Sequence, residues 1–225
     1  MFDLIETEAV TGVRLFSPML SISNAIFGGG LRPVSAIINY SLQPGEYPEV
    51  EEMPEFCRSL ATNLDCDPQT TVVMLTTVPQ RYRGRSDDGS CLITAGLGNA
   101  VPLLPELEWD EREGAYAYNP GTINTLIVSR EALSSSALVE AYGTAKLGLS
   151  EAVRNWSDSY HPERELIGTP TDGLTIVCPD VDPKLRFAGL GSRTGSELIR
   201  RIREAFNEAL SHRYPEFNSL EAKSG

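Results

Sequence analysis

Two rhythms of apolar residues run along this chain. Six short runs rich in β-branched residues and bounded by glycine or proline, at 13–16, 34–40, 71–76, 91–94, 122–128 and 174–178, read as strands. Elsewhere the spacing changes to that of a helix. Met53, Phe56, Leu60 and Leu64 form one stripe, Leu138, Tyr142, Leu149, Val153 and Trp156 a second, and Leu198, Ile202, Ala205 and Ala209 a third. Several strands follow one another with no helix between them, which disfavours a wholly alternating parallel sheet. The pattern therefore predicts an α+β fold, one mixed sheet covered by about three helices, with α/β as the alternative. Asp87-Asp88-Gly89 carries the signal of a hairpin turn. The segment 103–120, with Pro105, Trp109 and an acidic cluster, reads as an excursion over the surface, either a lid or an ordinary connection. Residues 1–213 are expected to form one domain, and the polar tail 214–225 to fray.

Composition narrows the function classes. A chain of 225 residues, 41% of them hydrophobic, can bury a sizeable core. Its 31 acidic and 19 basic residues give a net charge of -12, which opposes approach to polyanions, so no nucleic-acid partner is expected. Arg81-Tyr82-Arg83-Gly84-Arg85 reads as a solvated hairpin arm. No apolar run is long enough for a membrane span, and Met1-Phe2-Asp3-Leu4-Ile5-Glu6 lacks the character of a signal peptide, so a soluble, cytoplasmic protein is expected. Cys57, Cys66, Cys91 and Cys178 show no C-x-x-C spacing and read as buried thiols.

Several chemistries lack their residues. Gly96-x-Gly98 is followed by Val101 and Pro102 where a dinucleotide fingerprint needs a third small residue and a helix. Gly28-Gly29-Gly30 has no following Lys-Ser or Lys-Thr, so it reads as a tight turn or a close approach to a ligand, not a phosphate loop. His161 and His212 are the chain's two histidines; one sits in a polar loop and the other near a helix end, poor material for a histidine-activated serine or a zinc site. What remains is a polar, glycine-lined site of hydroxyls, carboxamides, a carboxylate and a lysine, groups able to move protons and to orient a ligand. Thr94 and Thr122 lie at strand ends beside glycines, where a hydroxyl can reach the rim of a sheet. Lys146 falls on the helical stripe of Val139, Tyr142, Leu149 and Val153, so its ammonium is either partly desolvated or extended outward along the helix. Asp172, before the last strand, is the candidate base or lysine partner, with a turn or cap role as the alternative. Thr194-x-x-Glu197 reads as a capping box, which leaves Glu197 out of the site.

Ser23-Asn24-Ala25 leading to Gly28-Gly29-Gly30-Leu31, the run ending at Asn39, Thr94 to Ala100, Gly121-Thr122-Ile123-Asn124, Ala145-Lys146, Thr171-Asp172-Gly173 and Phe187-Ala188-Gly189 occur in an order that resembles the adenosylcobinamide amidohydrolase family, over about residues 12 to 207. The chain departs from that pattern at Pro170, Gly173 and Ser196. The resemblance implies a prokaryotic enzyme of corrinoid (cobalamin) salvage. It would hydrolyse the amide joining aminopropanol to the corrin ring's propionate arm, giving adenosylcobyric acid. For that reaction the candidate catalytic residues are those read above from their positions, Thr94, Thr122, Lys146 and Asp172. Asn24, Gly29, Gly30, Asn39, Gly96, Gly98, Asn99, Gly121 and Asn124 are implied to bind the corrinoid, as room or as polar contacts. Two alternatives stay open: a corrinoid-binding protein without chemistry, and a threonine-type amidase acting on another amide.

No protein-bound metal or cofactor is expected, the cobalt being carried by the substrate. Aminopropanol release should accordingly persist after chelation. Complete loss on chelation, restored by zinc, would contradict this reading.

Overall fold

The computed structural model describes residues 1–102, 109–110, 115–116, 121–160, 162–182 and 184–214. His161, most of the 103–120 excursion and nearly all of the tail beyond 213 lie outside the described residues. The described chain is α+β, as its pattern predicts. Its strands are β1 (Phe2–Glu6), β2 (Val10–Ser23), β3 (Gly30–Ser41), β4 (Thr71–Thr76), β5 (Arg83–Arg85), β6 (Cys91–Ala95), β7 (Val101–Pro102), β8 (Trp109–Asp110), β9 (Ala115–Tyr116), β10 (Ile123–Val128), β11 (Leu166–Gly168) and β12 (Gly173–Cys178). The helices are α1 (Met53–Asn63), α2 (Ser135–Tyr160) and α3 (Arg193–Arg213).

Eight strands form one mixed sheet in the order β4-β3-β2-β12-β10-β6-β5, with β1 beside β2. The β3–β4 and β10–β12 pairs are parallel, and the other pairs are antiparallel. The long strand β2 makes the sheet bend. One of its edges pairs with β1 through Thr11–Leu15 and then with β12 through Leu20–Ser23, and its register against β3 shifts between Arg14 and Met19. Pro18, in that gap, has no N–H for a ladder, and such an irregularity increases bend and twist.

The curl is large enough that Asn124 of β10 hydrogen-bonds the Leu75 carbonyl of β4, although three strands separate them in the sheet. The concave side is filled by Val13, Leu15, Ile37, Val72, Met74, Leu92, Leu126 and Val177. On the convex side α2 and α3 cover β6, β10 and β12, packing Leu138, Leu149, Val153, Ile202 and Phe206 onto Ile93, Ile123, Ile127 and Ile176. At the other end α1 covers β3 and β4 through Cys57 and Ala61 against Ala36, Ile38 and Val73. No described helix is long and apolar enough to cross a membrane.

Local signals succeed where the chain itself carries the determinant. The Asp87-Asp88-Gly89 turn joins β5 to β6, with Gly89 at φ +68 and the Asp88 carboxylate accepting from Ser90 and Ser86. The four cysteines are free and buried, and burial pushes the Cys57 thiol up to about 11. Other expectations are corrected. β2 extends well beyond 13–16 on both sides, and β1 carries too many charges to register as a strand. Val139 is exposed, because the buried face of α2 runs through Leu138, Ala141, Ala145, Leu149 and Val153 instead. The proposed capping box does not form. Ser192 caps α3 by accepting from Gly195 N, while Thr194 donates to Glu131 and Glu197 pairs with Arg193.

Gly84 of β5 faces α3 so closely that an added Cβ would stand 2.3 Å from Ala209 N and closer still to the Ala205 carbonyl. Gly143, within α2, has open space at the same position. Gly84→Ala should lower the stability measured by urea unfolding by about 1–3 kcal/mol, whereas Gly143→Ala should raise it by about 0.5–1 kcal/mol.

Candidate functional site

At one end of the curled sheet the strand termini leave a cleft of about 490 Å3. One wall is the start of β10 and β12: Gly121, Thr122, Asn124 and the turn Pro170-Thr171-Asp172-Gly173. The facing wall is the end of β4, Met74 to Thr77, with Leu42 and Tyr47 from the connection between β3 and α1 and Met53 at the start of α1. Asn24, Ala25 and Ile26, from the β2–β3 turn, line the same cleft, and Phe27 bridges to Val73 of β4. Tyr40 holds the β3–α1 connection by donating to the Glu46 carboxylate at 2.7 Å. Burial, then that hydrogen bond and Glu46's charge, push the Tyr40 phenol up to about 12.

Asp172 organises the turn. Its Oδ1 accepts from Ile123 N at 2.9 Å and from the Thr169 hydroxyl, and its Oδ2 accepts from Thr169 N at 3.0 Å. A carboxylate has about four acceptor positions, so one remains after these three donors. Burial raises the Asp172 pKa above its ordinary value, and the donors from Thr169, the Lys146 charge and Ile123 N oppose that rise. The Asp172 carbonyl accepts from Asn24 Nδ2 at 2.8 Å and from Lys146 Nζ at 3.3 Å. Lys146 thus reaches the back of the cleft wall from α2. Its pKa is lowered by desolvation, with the Asp172 charge acting the other way.

Asn24 is a clip between strands as well as a cleft residue. Its Oδ1 accepts from Leu174 N at 2.7 Å, and its own N–H bonds the Leu174 carbonyl. Thr122 donates its hydroxyl to the Thr171 carbonyl at 2.6 Å, and Thr171 donates to the Gly121 carbonyl at 2.8 Å. Asn99 Nδ2 bonds that same Gly121 carbonyl, and Gly96 N bonds the Thr122 carbonyl. The segment 94–99 therefore braces 121–124 from behind.

Of the residues singled out in the sequence, Asn24, Gly121, Thr122, Asn124 and Asp172 meet in the cleft. Lys146, Asn99 and Gly96 stand behind its wall. Thr94 is not at the rim as expected, and Asn39, a substrate-binding candidate, does not line the cleft. Both face the interior of the curl, Thr94 being 1% exposed, and Asn39 Nδ2 donates to Thr94 Oγ1 at 2.9 Å. Gly29 and Gly30 serve the β2–β3 turn, Gly30 with φ +95, and neither lines the cleft; nor does Gly98. Sequence reasoning missed the facing wall. Thr76-Thr77 at the end of an apolar run, and Tyr47 between Gly45 and Pro48, were the available signals. His212 bonds the Arg83 carbonyl through Nδ1, far from this cleft. Among the described residues no group of three or more His, Cys, Asp and Glu side chains could hold a metal ion.

A family model described as adenosylcobinamide amidohydrolase matches residues 3–216. No curated protein matches the chain.

Asn24→Ala would leave Leu174 N–H without its side-chain acceptor beside a buried strand. A loss of about 1–3 kcal/mol in unfolding free energy is expected. Asn24→Asp, which keeps the acceptor, should recover part of it.

Proposed function

The chain belongs to the adenosylcobinamide amidohydrolase family and is an amide hydrolase of corrinoid salvage; we propose that the cleft at the sheet end is where it cleaves the aminopropanol amide. The observation that carries this reading is the composition of the cleft, in which Asp172, Asn24, Asn124, Thr77 and Thr122 line one partly apolar hollow. Its volume suits one arm of a corrinoid rather than the whole macrocycle. The ring would rest outside, over Ile26 and Tyr47, which are 63% and 59% exposed.

Hydrolysis adds water across the C–N bond. In this reading Asp172 takes the proton from an attacking water at its remaining acceptor position and passes a proton to the departing amine. Its raised pKa suits both roles. Thr122 is a weaker nucleophile candidate because its proton is committed to the Thr171 carbonyl with no base on that path. Thr94 is weaker still, since it faces Asn39 in the interior. Thr77, half-buried in the cleft wall, has a hydroxyl that no described residue engages and could bond the scissile carbonyl oxygen. Lys146 holds the Asp172 backbone and biases the carboxyl by its charge. No resident cofactor is part of this reading, the cobalt arriving with the substrate. A cytoplasmic, prokaryotic setting without nucleic-acid partners fits the free thiols and the net charge of -12.

The direct test is mass analysis of products after incubation with adenosylcobinamide. Adenosylcobyric acid and aminopropanol should appear; corrinoid binding without release would support the non-catalytic alternative. Asp172 works as a base only when ionised, so kcat/KM should fall as pH drops through a pKa above the ordinary 3.8 of a carboxylate. Asp172→Asn should cost roughly 10²–10⁴-fold in kcat, Lys146→Met should lower kcat about tenfold with little change in KM, and Thr122→Ala should stay within about tenfold of the parent. Abolished turnover in Thr122→Ala with binding intact would make that hydroxyl the nucleophile.

A further inference from the structure

Asn124 belongs to both compartments of the curl, its backbone in β10 and its side chain between the packed interior and the cleft. Its Nδ2 donates to the Leu75 carbonyl at 2.9 Å and to Asn39 Oδ1 at 2.8 Å. A main-chain carbonyl can only accept, so the atom facing Leu75 must be the amide nitrogen. That single contact sets the polarity of a chain. Asn39 must present its oxygen to Asn124 and its nitrogen to Thr94, whose hydroxyl accepts at 2.9 Å. Both protons of Asn124 Nδ2 are then used.

The oxygen is left over. No described residue donates to Asn124 Oδ1, which lies beside Gly173, its neighbour across the parallel pair. A Cβ on Gly173 would stand 2.5 Å from this oxygen. Glycine there keeps the oxygen's approach from the cleft clear. An acceptor with a fixed back and a front open to the cleft can take a donor from a ligand, and a ligand that fills the cleft without offering one leaves it unsatisfied at a cost.

We infer that Asn124 Oδ1 is the acceptor for the N–H of the scissile amide, and that Asn39 and Thr94 are positioning residues that hold its polarity. This rests on the reading of the cleft as the hydrolytic site. The aminopropanol amide is secondary and carries one N–H. As its nitrogen gains a proton on departure, that contact becomes charge-assisted and strengthens, so it acts more on the transition state than on binding. The contact also selects amides over esters, which have no hydrogen at the linking atom.

The test compares adenosylcobinamide with the analogue in which an ester oxygen replaces the linking N–H. With the wild-type enzyme releasing aminopropanol, Asn124→Ala should lower kcat on the amide at least tenfold while changing the ester rate less than threefold. Gly173→Ala, which displaces the oxygen without removing it, should give the same amide-selective loss and serves if Asn124→Ala does not fold. Thr94→Val should show it in part, and Thr94→Ser should restore the amide rate. Equal losses on amide and ester in both cleft variants, or no loss on either substrate, would overturn the assignment. Failure of the wild-type enzyme to cleave adenosylcobinamide would instead remove the functional reading on which it stands.

Discussion

The sheet curls until β4 faces β10, strands that the sheet order keeps apart, and the hydrogen bond from Asn124 Nδ2 to the Leu75 carbonyl marks that closure. The curl encloses an apolar interior around Ile37, Met74, Leu92 and Leu126 and leaves strand ends to build a cleft at its mouth. Carboxamides and hydroxyls collect at the boundary between the two, where backbone groups at the strand ends need partners.

That boundary divides labour among residues of similar chemistry. Asn24 ties β2 to β12 and supports the Asp172 turn. Asn99 braces Gly121 from behind. Asn39 is buried and joins Asn124 to Thr94. Asp172 is held by Thr169 and Ile123 with one acceptor position to spare, and Lys146 approaches its carbonyl from α2. Most of the polar side chains near the cleft therefore maintain its shape, which leaves few groups with unused capacity toward a substrate.

Much of the fold was legible because its determinants are local. Alternation and helical spacing marked β3, β4, β6, β10, β12 and the three helices, and Asp88-Gly89 marked the β5–β6 hairpin. The family order of motifs identified the reaction, which no composition or spacing could have done. The segments around Asn24, Thr122 and Asp172 were visible as glycine-bounded polar clusters, and they do meet. What the sequence concealed was facing. Thr94 and Thr122 look alike in one dimension, yet strand register turns Thr94 toward Asn39 inside the curl while Thr122 lines the cleft. Val139 and Leu138 are neighbours in a stripe, but only Leu138 meets the sheet. The facing wall from Met74 to Thr77 and Tyr47 depends on the curl itself, a long-range property set by the register shift in β2.

The central claim is that the corrinoid's amide arm enters this cleft, and a crystal structure of the Asp172→Asn protein with adenosylcobinamide tests it most directly. The expected density runs from the aminopropanol arm, between Asn24, Asn124 and residue 172, out to a macrocycle over Ile26 and Tyr47. A corrinoid bound elsewhere with the cleft empty, for example in the arginine-rich hollow of Arg130, Arg193 and Arg200 beyond the other end of β10, would contradict it.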